Sequence, residues 1–66
     1  MKIKELSKRL KAVRKALGLS QAELAARWQC NLNTISRIEQ GNEPGMMGLF
    51  IDAVRHLESE AAIKAE

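Results

Sequence analysis

The sequence predicts an all-α fold, a compact bundle of four to five helices, and three observations predict it. Residues 3–17 carry one apolar stripe at helical spacing. Residues 20–41 divide at a tight turn into two short segments, each opened by a capping residue. Residues 46–57 carry a further apolar stripe with the same period. At 66 residues the chain is expected to make a single domain, 1–66. A domain this small buries only about 60% of the surface that its unfolded chain exposes, so a partner copy is a natural source of added stability.

The first helix runs from about Ile3 to Leu17. Ile3, Leu6, Leu10, Val13 and Leu17 step by 3, 4, 3 and 4 and form its inward stripe. Gly18 supplies the stop. Lys4, Lys8, Lys11 and Lys15 fall on a separate narrow arc, a basic ridge that reads as a solvated face or as phosphate contacts. Arg14 sits at the edge of the apolar stripe, where a guanidinium needs a partner because an unpaired buried charge is costly.

The second and third helices occupy about residues 20–41. Ser20 with Glu23 three residues on is the capping-box pattern, in which each side chain satisfies the other's free backbone N–H. Leu24, Ala25 and Trp28 give that helix one apolar edge, and small Ala25 lets a neighbouring backbone approach. Asn31 is the next cap candidate, Ile35 and Ile38 are the large apolar residues of the helix it opens, and Gly41 ends it. Two short helices around a tight turn, the second polar on its outer side, are the layout of a helix-turn-helix, whose second helix lies in the DNA major groove.

Residues 14–41, RKALGLSQAELAARWQCNLNTISRIEQG, also resemble the phage repressor and Cro family of helix-turn-helix proteins, the xenobiotic-response-element type. The resemblance rests on Arg14, on the run Gly18-x-Ser20-Gln21-x-Glu23-Leu24-Ala25, on the apolar Trp28, Cys30, Ile35 and Ile38, and on the closing Ile38–Glu39–Gln40–Gly41. It extends more loosely over residues 3–57. It implies a lambda-repressor-like DNA-binding domain that binds operator DNA, usually as a symmetric dimer. The family pairs an arginine and a glutamate at the positions of Arg14 and Glu39, which makes them a structural ion pair. Gln29 stands in the turn where the family commonly has Gly, which calls for a left-handed or bridge conformation of a non-Gly residue.

Beyond Gly41, Asn42–Glu43–Pro44–Gly45 is a loop by composition. Many family members have a basic residue and then Pro at this junction; here Glu43 is acidic and Gly45 stands where that Pro usually falls. The loop therefore offers a phosphate only Asn42 or main-chain N–H groups. A fourth helix follows from about Met46 to Leu57, with Met47, Phe50, Ile51, Val54 and Leu57 inward. Met46, Leu49 and Ala53 form a second apolar strip beside them, the candidate dimer surface, with the acidic tail as the second possibility. Residues 58–66 carry no breaker and either prolong this helix or form a fifth one capped by Ser59.

On the helical wheel of the third helix, Asn33, Ser36 and Arg37 lie opposite Ile35 and Ile38, with Gln40 a turn later and Leu32 on the flank. An amide, a hydroxyl and a guanidinium on one face suit base edges: Asn bonds adenine N6 and N7, Arg bonds guanine O6 and N7, and Leu32 packs on a thymine methyl. Leu32, Asn33, Ser36 and Arg37 are therefore the base-contacting candidates. Gln21, at a helix N-terminus that already favours anions, is expected at phosphate, as the resembling family has it. Asn31, Thr34, Gln40 and Asn42 join it, while Arg27 and the lysine ridge stand lower in the order.

Charge supports a polyanionic partner. Residues 1–37 hold nine Lys/Arg against Glu5 and Glu23, a balance of +7, whereas residues 38–66 hold Arg55 and Lys64 against six acids, −4. The expected partners are double-stranded DNA and a second copy of the chain. A signal peptide and an apolar run of spanning length are both missing, so a cytoplasmic location and no membrane partner are expected. With no room for a sensing domain, no small-molecule effector is expected. Cys30 alone allows no intramolecular disulfide and argues against a thiolate metal site, and Trp28 and Cys30 are read as core. His56 has no second His or Cys pair beside it, so neither a metal, a cofactor nor catalysis is expected. The sequence thus reads as a Cro-like repressor; the alternative is a protein-interaction module, an antitoxin or coactivator-like bridge, on the same fold.

Overall fold

The computed structural model describes residues 1–65, which form α1 (Ile3–Ala16), α2 (Gln21–Trp28), α3 (Leu32–Glu39) and α4 (Met47–Ala65), with no strand among them. α1 packs against both α3 and α4, and α2 against α3. Leu6, Leu10 and Val13 from α1, Leu24 and Ala25 from α2, Ile35 and Ile38 from α3, and Val54 and Leu57 from α4 are buried together as one core. The apolar stripes thus meet where their periodicity aims them.

Helix ends follow from local chemistry. Ser20 Oγ accepts from the Glu23 N–H at 3.0 Å while Glu23 Oε1 accepts from the Ser20 N–H at 2.9 Å, so the capping box is complete. Asn31 Oδ1 accepts from the Asn33 N–H at 2.8 Å and starts α3. α1, α2 and α3 all finish with the same paired closure, in which the two backbone N–H groups past the helix turn back onto its last carbonyls. The bonds are Leu19 to Arg14 and Gly18 to Lys15, Cys30 to Ala25 and Gln29 to Ala26, and Asn42 to Arg37 and Gly41 to Ile38. That closure needs a positive φ at its pivot. Gly18 (69°) and Gly41 (93°) meet it without a Cβ, and Gln29 (54°) meets it with one.

Residues 58–65 continue α4 as one helix, with Ser59 inside it and not at a cap; Glu66, the rest of that segment, lies outside the described residues. The bundle therefore has four helices through Ala65 and no separate fifth. Two ion pairs and one apolar contact explain the continuation. Glu58 accepts both Nε, at 2.8 Å, and a terminal nitrogen of Arg9 on α1, and Glu60 accepts Arg27 from the end of α2. Ala61, just beyond them in the sequence, packs on the core. Side chains spaced for helix thus have helix partners on two neighbours.

Two expected core residues sit at its margin. Trp28 and Cys30 are half-buried, packed against the core and not inside it. The Trp28 ring lies tilted on Phe50 of α4, centroids 6.1 Å apart, and so ties the turn to the last helix. Met47, Phe50 and Ile51 are likewise half-buried, because the first turns of α4 cover the edge of the core and only Val54 and Leu57 reach its centre.

Candidate nucleic-acid interface

The outer face of α3 rests on a buried polar network beneath it. Glu39, at the last turn of α3, has only 3% of its side chain exposed and Arg14 of α1 only 12%. Arg14 Nε donates to Glu39 Oε2 at 2.7 Å and a terminal nitrogen donates to Oε1 at 3.0 Å, a bidentate pair. The other terminal nitrogen of Arg14 donates to the Leu19 carbonyl at 2.8 Å, which joins the pair to the α1–α2 turn. Gln21 Nε2, from the first turn of α2, adds a third hydrogen bond to Glu39 Oε1 at 3.1 Å. Ser7 Oγ donates to the Glu39 main-chain carbonyl at 2.7 Å. One carboxylate thereby fixes α1, α2 and α3 relative to one another.

The electrostatics agree with that geometry. Burial pushes the Glu39 carboxyl up, but the hydrogen bonds from Arg14 and Gln21 and the charges of Arg14 and Lys11 outweigh it, leaving Glu39 below the usual carboxylate range. Hydrogen bonding to Glu39 holds the Arg14 guanidinium above its ordinary value. Both groups stay charged across the physiological range. The expected structural pair is present, and no buried side-chain nitrogen or oxygen among the described residues lacks a partner.

On top of this network the base-contacting candidates fall on one side of α3. Asn33 and Arg37 are exposed, Leu32 is exposed on the flank, and Ser36 is half-buried. Among the described residues Arg37 pairs with no carboxylate, and the Asn33 amide has no side-chain partner. Gln40 is exposed too, and its Nε2 donates to Ser36 Oγ at 3.1 Å, so these two are coupled. Gln40 lies beside Lys4 and Lys8 of α1, whereas Arg37 and Thr34 lie towards the α3–α4 loop, where they line an open groove of about 620 Å³ with Asn42, Met46 and Leu49.

The phosphate candidates divide in two. Asn31 and Asn42 are exposed at opposite ends of α3, and Thr34 is half-buried on its loop side. Asn31 uses its oxygen as a cap and keeps its amide N–H groups for another partner. Gln21 is half-buried with its amide nitrogen on Glu39, which leaves its side-chain oxygen and backbone N–H at the N-terminus of α2. Met46 and Leu49 are 65% and 58% exposed, while Ala53 is half-buried. Arg27 is already committed to Glu60.

Sequence reasoning missed Ser7, Arg9 and the partners of Arg9 and Arg27. Ser7 sits two helical turns before Arg14 and so shares its side of α1; that spacing was the available signal. Burial pushes the Cys30 thiol up, which keeps it protonated and weakly nucleophilic. Among the described residues no cluster of His, Cys, Asp and Glu could hold a metal ion, and no helix is long and apolar enough to cross a membrane. A family model described as a helix-turn-helix domain matches residues 5–61. No curated protein and no solved structure matches the chain.

Proposed function

The chain belongs to the helix-turn-helix domain family, a family of DNA-binding regulators, and from that premise we propose that it is a Cro-like repressor reading a palindromic operator as a homodimer. The observation that carries the reading is the pair of unpartnered polar heads, Asn33 and Arg37, on the exposed face of an α3 whose buried side is locked by Arg14, Gln21 and Glu39. A helix held by its buried side has little backbone freedom left to lose on entering a groove, so only its free side chains must be ordered. Arg37 reads guanine, Asn33 reads adenine, and Leu32 meets a thymine methyl, each good bidentate pair giving about 1–3 kcal/mol of discrimination. Ser36 shares its hydroxyl with Gln40 until a base edge or phosphate replaces that bond.

Gln21, Asn31, Thr34, Gln40 and Asn42 surround this face and set its register on the phosphates, adding affinity without sequence information. A second copy doubles the contact. Met46 and Leu49, exposed beside the reading face, are the proposed dimer surface with Ala53, and they hold two α3 helices about one DNA turn, ~34 Å, apart. The reading invokes no small-molecule effector and no catalysis, and it places the protein in the cytoplasm. Selection from a pool of random duplexes tests it. A recovered palindrome with half-sites one turn apart is the expected result; failure to enrich any duplex would favour the interaction module on the same fold.

A further inference from the structure

Three of the four arginines in residues 1–37 are spent inside the molecule, Arg9 on Glu58, Arg14 on Glu39 and Arg27 on Glu60. The positive charge that remains there is concentrated on one arc of α1. Lys4, Lys8, Lys11 and Lys15 are all exposed, and none has a carboxylate within ion-pair distance among the described residues. Lysines at i,i+3 and i,i+4 repel one another on a helix, so the ridge is slightly unfavourable in the free protein and gains from any fixed anion.

The ridge is also beside the reading helix. Lys4, Glu5, Ser7 and Lys8 of α1 share a groove of about 470 Å³ with Glu39 and Gln40 at the C-terminal end of α3, and the Glu5 carboxylate lies 3.8 Å from the Arg9 guanidinium. Lys11, a turn further along, is close enough to Glu39 to help hold its carboxyl down. The Ser7 hydrogen bond to the Glu39 carbonyl, 2.7 Å, pins α1 to α3 at this point. On the α3 wheel this flank continues through Gln40 and Ser36 into the face that carries Asn33 and Arg37.

We infer that Lys4, Lys8 and Lys11 form a second phosphate track, which grips the DNA backbone alongside the C-terminal end of α3. The inference rests on the DNA-binding reading and extends the contact surface onto α1, a helix outside the two-helix motif. An ammonium on a flexible stem acts as a point charge and demands no fixed angle, so it suits a backbone that runs past the protein. Each phosphate neutralised releases counterions and steepens the salt dependence of binding by about 0.9 in log–log slope.

The test is the affinity of the full chain for a mixed-sequence duplex of about 20 base pairs, measured by fluorescence anisotropy from about 50 to about 200 mM salt, the span over which contact number shows. The charge-neutralised K4Q/K8Q variant is compared with wild type and with R55Q/K64Q, which removes the same charge from exposed positions on α4. K4Q/K8Q should lower the slope by about two, so that wild type loses roughly tenfold more affinity than the variant over that span. Adding Lys11→Gln should lower it by about one more, and R55Q/K64Q should leave it unchanged. An unaltered slope in K4Q/K8Q, or an equal fall in R55Q/K64Q, overturns the ridge and leaves the DNA reading standing. Wild type without salt-dependent binding overturns both.

Discussion

The Glu39 carboxylate accepts three hydrogen bonds from two side chains while only 3% of it meets solvent, and its own carbonyl accepts a fourth from Ser7. Glu39→Ala leaves a guanidinium 12% exposed with the Leu19 carbonyl as its remaining protein acceptor. Breaking a buried pair from one side costs about 3–5 kcal/mol, so urea unfolding should show a loss of that order, with Glu39→Gln falling between it and wild type. A loss under about 1 kcal/mol would place the pair among solvent-screened surface bridges. Arg37 has the opposite situation, since nothing among the described residues holds it. Arg37→Ala and Asn33→Ala should therefore leave stability within about 0.5 kcal/mol and relax base preference at one operator position each. If Arg37→Ala weakened binding equally on every sequence, Arg37 would be a phosphate clamp and not a reader.

The helices show where sequence suffices and where it does not. Ser20, Glu23, Asn31, Gly18 and Gly41 act within a few residues of themselves, so the ends of α1, α2 and α3 were legible to within a residue of where they fall. The C-terminal reach of α4 was not, because Glu58 and Glu60 find their partners, Arg9 and Arg27, only once three helices are packed. The same holds for the site: the outward face of α3 follows from its period, while Ser7 and the split duty of Gln21 depend on how α1 and α2 meet it. The turn after α2 lies between these cases. Gln29 was readable as a misfit, and it adopts the left-handed conformation with φ 54°. A Cβ there costs about 1–2 kcal/mol, which glycine avoids at some cost in chain entropy. Gln29→Gly should raise the urea midpoint, with a net gain of up to about 1 kcal/mol. A lower midpoint would mean that Gln29 makes a contribution beyond the turn itself.

Across the whole molecule the division into a basic first part and an acidic second part serves the fold before it serves any partner. Arg9–Glu58 joins α1 to α4, Arg14–Glu39 joins α1 to α3, and Arg27–Glu60 joins α2 to α4, so each crosses between elements distant in sequence. Hydrogen bonds from Arg9 and Arg27 hold Glu58 and Glu60 below the usual carboxylate range, as the Arg14 network holds Glu39. A carboxyl whose folded pKa lies below its unfolded value of about 4.3 contributes stability that is present above that value. The contribution is lost as pH falls through the depressed folded values. Thermal melting should therefore be nearly level from about pH 7 to about pH 5 and fall steeply below about pH 4, the window set by these downward shifts. In E58Q/E60Q two of the three titrating links are gone, so this variant should melt lower than wild type at neutral pH and lose less on acidification. Parallel acid profiles for the two proteins would mean that the α4 pairs are screened, and that the remaining depressed carboxyls, Glu39 and the capping-box Glu23, couple the bundle to pH.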